Sequence, residues 1–267
     1  MLQREDRDRY LTSLFAAPAA RPRLHALYAF NLELARVAEV VSEPMLGEIR
    51  LQWWRETLDG VFSGTPRRHD VAEMLADVVA DGCLGRASLD RMIDARAAEL
   101  EEVPFGTLED LLSYLGNSSS ILMAEAARLL YPDQDPEAAG AGGLAVGLVG
   151  LVRAIGYHAR QGRVMMPRDL MAAHDVDPHD LIHGRAGDNM RALVGEVLEL
   201  ADQKLAEFRQ LSPAISKAAV PAYLPVTLAA SDLKAIRRAG HDPFRIEGKP
   251  RPARVARLIL RGMLGRP

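Results

Sequence analysis

Residues 26–43 read Ala26-Leu27-Tyr28-Ala29-Phe30-Asn31-Leu32-Glu33-Leu34-Ala35-Arg36-Val37-Ala38-Glu39-Val40-Val41-Ser42-Glu43. From Leu24 onward, Leu27, Tyr28, Leu34, Ala38 and Val41 recur at helical spacing, and Phe30, Val37 and Val40 make the other side apolar too. A helix that is apolar all round is a buried one. Asn31, Glu33, Arg36 and Glu39 therefore sit in apolar surroundings, where polar side chains pair with one another or line a cavity.

A second segment has the same character. Leu151-Val152-Arg153-Ala154-Ile155-Gly156-Tyr157-His158-Ala159-Arg160-Gln161-Gly162-Arg163-Val164-Met165-Met166-Pro167 carries an apolar helix into the basic groups Arg153, His158, Arg160 and Arg163. Around these two segments, helix punctuation recurs and strand-like alternation is rare. Helices are expected near Asp6–Ala16, Pro22–Val41, Glu48–Phe62, Val71–Asp81, Ser88–Glu102, Thr107–Leu130, Pro136–Tyr157, Asn189–Gln210 and Val220–Ala239. The stretch from Lys249 to Pro267 reads as a basic C-terminal helix, about 250–265. With no repeat or long linker, residues 1–267 read as a single all-α domain.

The composition narrows the function. The 267 residues are 48% hydrophobic, enough for a sizeable core. The 33 basic and 36 acidic residues nearly cancel, which argues against a nucleic-acid partner. Cys83 has no second cysteine to pair with, which points to a reducing compartment. The charged N-terminus shows no signal-peptide pattern. The apolar run Leu144–Val152 is far short of the roughly 20 residues of a membrane span. A cytoplasmic location is expected, peripheral on the inner face of the cytoplasmic membrane if the basic tail lies on lipid.

Tyr28-Ala29-Phe30 in a buried helix, with Gly162-Arg163 and Pro167 well downstream, resembles the squalene/phytoene synthase superfamily from about Tyr10 to Leu260. The resemblance implies a helical bundle of the isoprenoid (trans-prenyl) synthase type. In active members two helices each present Asp-x-x-x-Asp to a central cavity. Residues four apart share a helix face, so the carboxylates hold Mg²⁺, which neutralises the leaving diphosphate. Laid on that pattern, the aspartate positions fall at Ala35, Glu39, Ala154 and His158, and the usual arginine falls at Leu32. The resemblance thus implies no metal, no cofactor and no catalytic residues of the standard kind.

The departures resemble one branch, the mitochondrial complex I assembly factor of that superfamily and its alphaproteobacterial relatives. Ala-Phe-Asn-x-Glu-Leu-Ala from Ala29, Ser42-Glu43, Arg50-x-Gln-Trp-Trp and Arg153-Ala154-x-x-Tyr157-His158 carry that likeness. It implies a non-catalytic or non-standard protein supporting NADH:quinone oxidoreductase assembly, with complex I subunits or assembly proteins as partners. The alternative is an active head-to-head prenyl diphosphate synthase with Mg²⁺ held by Glu39 and Glu43. A third is an isoprenoid carrier without turnover. Candidate ligand-binding residues are Tyr28, Asn31, Arg36, Glu39, Arg50, Arg153, Tyr157, His158 and Arg163.

Arg36, Arg153, His158 and Arg163 suit an anion such as an isoprenoid diphosphate or a phospholipid. The competing reading pairs Arg36 with Glu33, Glu39 or Glu43 and leaves the others at helix ends. Of Trp53 and Trp54, about 100° apart on a helix, one is expected in the core and the other at a surface or cavity. Gly140-Ala141-Gly142-Gly143 lacks a preceding strand, so it fails as a phosphate loop. Gly143, Gly147 and Gly150 read as close helix packing. His179 and His183, with His174 and Asp175 nearby, lack the further ligands of a metal site. In the tail, Lys249, Arg251, Arg254, Arg257, Arg261 and Arg266 with Val255, Leu258, Ile259 and Leu260 fit a helix on anionic lipid, or one packed on the bundle.

Overall fold

Proline and glycine breaks set the helix ends, and the computed structural model, which describes residues 1–101, 103–245 and 251–267, has no strand among them. Two short helices, α1 (Leu2–Glu5) and α2 (Arg7–Ser13), open the chain, with Asp6 capping α2 by accepting from Arg9 N at 3.2 Å. The quoted stretch forms α3 (Arg21–Ala35) and α4 (Val37–Val40), broken at Arg36 rather than continuous as expected. Then come α5 (Pro44–Phe62), α6 (Asp70–Ala80) and α7 (Arg86–Ala97), with Glu99 on a 3-10 turn that follows.

The expected helix 107–130 is three pieces. α8 (Leu108–Leu115) starts on a Thr107/Asp110 capping box, a wider π turn covers Gly116–Ser120, and α9 (Ile121–Leu130) follows. Serine hydroxyls compete for backbone carbonyls. Here Ser118 donates to Tyr114 O at 2.7 Å, while Ser119 and Ser120 donate to Gly143 O and Gly140 O at 2.8 and 2.9 Å. The π turn is thereby bonded to the next long helix, α10 (Glu137–Ala159). After α11 (Arg168–Ala173) and α12 (Pro178–Ile182), the bundle is completed by α13 (Asp188–Leu211), α14 (Val220–Arg238) and α15 (Pro252–Met263). Glu102 and Lys249, read above as a helix end and part of the tail, lie outside the described residues.

One contiguous cluster of buried apolar side chains runs from Leu2 to Leu258. α10 is its axis, packed on α9, α13 and α14. By length and hydropathy α10 matches a membrane span, but most of that window is buried inside the bundle. Small residues let it approach its neighbours. A Cβ on Gly143 would lie 2.3 Å from Ser120 Cα, and one on Gly147 would lie 2.7 Å from Leu115 Cδ2. Gly150 corrects the sequence reading, since a Cβ there meets nothing within 4 Å.

The tryptophans divide as their spacing requires. Trp54 is buried edge-on against Phe30 at 5.2 Å, and half-buried Trp53 lies under the Arg67 guanidinium at 5.5 Å. The tail helix α15 seats Leu258 in the core and leaves Ile259, Leu260 and Met263 exposed. Because Ser120 Cα is backbone that side-chain rotation cannot move away, Gly143→Ala will lower stability by about 1–3 kcal/mol. Gly150→Ala will be neutral or stabilising by about 0.5–1 kcal/mol, since alanine is the better helix former. Urea denaturation midpoints of the two variants check the contrast.

Candidate functional site

A cavity of about 610 Å³ opens between α1–α2, α3, α8 with its π turn, α10, α14 and α15. Its inner wall is apolar, formed by buried Leu115, Val149, Leu228 and Ala229. Tyr157, 40% exposed, marks the open side. Three groups of charged residues stand around the rest.

In the first, the Arg9 guanidinium pairs with Asp6 at 2.6 Å and lies 6.0 Å from the centre of the Tyr28 ring. In the second, Asp232, 0% exposed on α14, is the shared counter-ion of three arginines. Arg153 approaches it at 2.8 Å, Arg251 at 2.7 Å and Arg254 at 2.6 Å. Arg254 also reaches Asp8 on α2 at 2.5 Å, and Arg153 reaches it at 3.3 Å. Burial alone would raise the Asp8 pKa. The hydrogen bond and charge of Arg254, with help from Arg153, hold it below the usual carboxylate range instead.

In the third, Arg96 pairs with Glu99 and donates to the Tyr114 hydroxyl at 2.8 Å and to Asn31 Oδ1 at 3.1 Å. Tyr114 donates to Glu99 at 2.5 Å, and Arg163 donates to the Glu99 carbonyl at 2.9 Å. His158 lines the cavity beside this group, with Nδ1 buried and lacking a hydrogen-bond partner among the described residues. Burial, then the Arg163 charge, lowers its pKa and favours the neutral ring.

Of the residues selected from sequence, Asn31, Ala35, Arg153, Ala154, Tyr157 and His158 line the cavity. Tyr28 sits deeper, beside a side pocket of about 10 Å³, and burial pushes its hydroxyl pKa up. Arg163 lines another pocket of that size, with His158. Arg36 and Arg50 are exposed and do not line the cavity, so the anion set inferred around Arg36 does not converge. Nor, among the described residues, does Arg36 form an ion pair with Glu33, Glu39 or Glu43. Exposed Glu39 meets the Tyr157 hydroxyl, which contributes, after burial, to raising the tyrosine's pKa.

Sequence reasoning missed Asp8, Arg9, Arg96, Glu99, Tyr114 and Arg254. They arrive on α2, α7, α8, α15 and the turn at Glu99, where each looks in sequence like an ordinary polar surface residue. The tail arginines correct a related reading. With no acid near them in sequence, Arg251 and Arg254 still face inward, because Asp8 and Asp232 come from distant helices.

The donor set does not fit a Mg²⁺–diphosphate. Ala35, Ala154 and His158 face the cavity without a carboxylate, and of the acids lining it Asp6, Asp8 and Glu99 are paired with arginine. Glu5 is left at the rim, exposed. Among the described residues no three His, Cys, Asp or Glu gather as a metal site. His179 and His183 stack on one another at 5.4 Å, while His174 pairs with Glu196 at 2.6 Å.

A helical bundle around one side-opening cavity is the isoprenoid-synthase class of fold. It superposes on a dehydrosqualene synthase solved in complex with ligand, with a TM-score of 0.82 at 18% identity over 98% of this chain and 93% of that one. The model of the squalene/phytoene synthase family matches residues 2–258, and the chain belongs to that family. Among curated relatives it is 31% identical to "NADH dehydrogenase (ubiquinone) complex I, assembly factor 6" of Bos taurus, over 91% of this chain and 74% of that protein. It is 27% identical to the 15-cis-phytoene synthase of Synechococcus elongatus, over 88% of this chain and 81% of the enzyme.

The lowered pKa values of His158 and His25 have a thermodynamic consequence. The unfolded chain binds protons to these rings before the folded chain does, so their contribution is complete above the ordinary value of 6.5 and is lost as pH falls through the folded values. Asp8 acts only below its ordinary 3.8 and leaves that window clear. Melting temperature should therefore fall between pH 7 and pH 5, and His158→Gln should flatten the decline. Parallel profiles for the two proteins would contradict this.

Proposed function

We propose that this chain is a non-catalytic member of its family that supports assembly of respiratory complex I, NADH:quinone oxidoreductase, working as a binding protein at the membrane. The observation that carries the reading is the cavity itself. It is open, but of the four positions that would present metal-binding carboxylates three are Ala35, Ala154 and His158, and the fourth, Glu39, is exposed outside the lining. A metal that stabilises developing charge by several kcal/mol has no donor set there, and losing that much slows a reaction by roughly 10³-fold. The name of the 31% identical bovine relative points to the same role.

The second reading, prenyl transfer, draws on the phytoene synthase likeness. It needs Glu39 and Glu43 as metal ligands, and both are exposed outside the cavity lining. That geometry favours the first reading. Complex I subunits or assembly proteins are the partners to seek. A place on the inner face of the cytoplasmic membrane agrees with the apolar residues Ile259, Leu260 and Met263, exposed on α15 beside Arg257 and Arg261.

The test is deletion of the gene, followed by native gel separation of membrane complexes and an assay of NADH:quinone oxidoreductase. Assembled complex I should drop severalfold and return on re-expression. Normal assembly without the gene would remove the reading.

A further inference from the structure

A helix that closes a bundle ordinarily turns its apolar side to the core and its charges to water. α15 does the reverse. Arg254 points inward to Asp8 and Asp232, and Arg251, at the start of the helix, reaches Asp232 as well. Leu258 is buried beside them, and Gly262 one turn on leaves room for the Phe15 ring. At about 100° per residue, Ala253, Ala256, Ile259, Leu260, Met263 and Leu264 fall together on the opposite side. All six are exposed, the four large ones from 47% at Ile259 to 78% at Met263.

Single exposed apolar side chains are ordinary, whereas a contiguous apolar face rimmed by charge marks an interaction site. The rim says what occupies it. Arg257 and Arg261 stand exposed along one edge, Arg257 held by a hydrogen bond to Ser231 Oγ at 2.9 Å, and Arg266 follows beyond the helix. Residues 251–267 contain no Asp or Glu. An apolar interior beneath a negative surface layer answers both features at once, and an anionic lipid bilayer is built that way. With 12 residues the helix is about 18 Å long, so it suits the plane of the interface and is too short to span.

We propose that α15 is the protein's membrane-docking element. It lies along a bilayer that contains anionic lipid, with Ile259, Leu260, Met263 and Leu264 among the acyl chains and Arg257 and Arg261 at the phosphates. The inward ion pairs of Arg254 with Asp8 and Asp232 hold the helix with this face outward. The proposal deepens the reading above by naming the surface that meets the membrane. It rests on that reading for the membrane site alone and is independent of the assembly role.

Sedimentation of the purified full chain with vesicles is the test. The protein should bind vesicles of equal parts phosphatidylcholine and phosphatidylglycerol. Binding to phosphatidylcholine alone should be roughly tenfold weaker or more, since each arginine near an anionic surface contributes about fivefold. Leu260→Asp combined with Met263→Asp should weaken binding to the mixed vesicles about tenfold or more, because the apolar face is what inserts. The melting temperature should not change, as both side chains are exposed. Arg257→Gln with Arg261→Gln should abolish the preference for phosphatidylglycerol. Ile49→Asp, at an exposed apolar side chain of α5, should leave binding as it is. Binding that survives the double aspartate variant, or that falls equally with Ile49→Asp, would overturn the proposal. So would failure to bind either vesicle. A dimer in light scattering that the double aspartate variant converts to monomer would put a second copy of the chain on this face, and would overturn it too. Any of these results would leave the assembly role standing if complex I still depends on the gene. Loss of that dependence with vesicle binding intact would remove the assembly role alone.

Discussion

Asp8, Asp232, Arg153, Arg251 and Arg254 form one ionic cluster that joins α2, α10, α14 and the start of the tail helix. It links the two ends of the chain directly, residue 8 to residue 254 at 2.5 Å. A fully buried carboxylate such as Asp232 is tolerated only with its charge matched, and desolvation makes such clusters poor sources of net stability. Arg254 satisfies Asp8 and Asp232 together in the seating of α15 seen here, so the cluster ties the tail helix to α2 and α14. The same seating makes one wall of the cavity.

That wall gives the cavity a charge balance of its own. A metal-dependent site holds clustered carboxylates apart from neutralising groups until metal arrives. Here Asp6, Asp8 and Glu99 at the cavity are met by guanidiniums from the protein itself, at Arg9, Arg96, Arg153 and Arg254. Arginine is charged at all accessible pH and matches a carboxylate with a planar fork, so the neutralisation is permanent. Ala35 and Ala154 leave smooth surface where ligands for a cation would stand. The charge balance is therefore set by several residues together.

Much of this was legible in the sequence, for a physical reason. α3 and α10 are apolar all round, so polar residues within them stand out; Asn31, Arg153, Tyr157 and His158 were found that way and do line the cavity. The rule failed at Arg36 because the helix breaks there, which turns Arg36 and Glu39 out to solvent. Arg50 lies on the solvent side of α5. Residues contributed by amphipathic helices were invisible, since a charge that faces inward and one that faces water have the same local pattern. Arg254 is the clearest case, as its partners lie 22 and 246 positions away. The π turn carried a weak local sign in Gly116-Asn117-Ser118-Ser119-Ser120, but its pairing with α10 depends on the close approach at Gly143.

The central claim is that this cavity has no means of holding magnesium against a prenyl diphosphate. Calorimetric titration of Mg²⁺ into the protein with an unreactive farnesyl thiodiphosphate present addresses it most directly. The account predicts no saturable heat and no gain in thiodiphosphate affinity when metal is added. Stoichiometric uptake of two or three Mg²⁺ ions per protein, dependent on the thiodiphosphate, would contradict it.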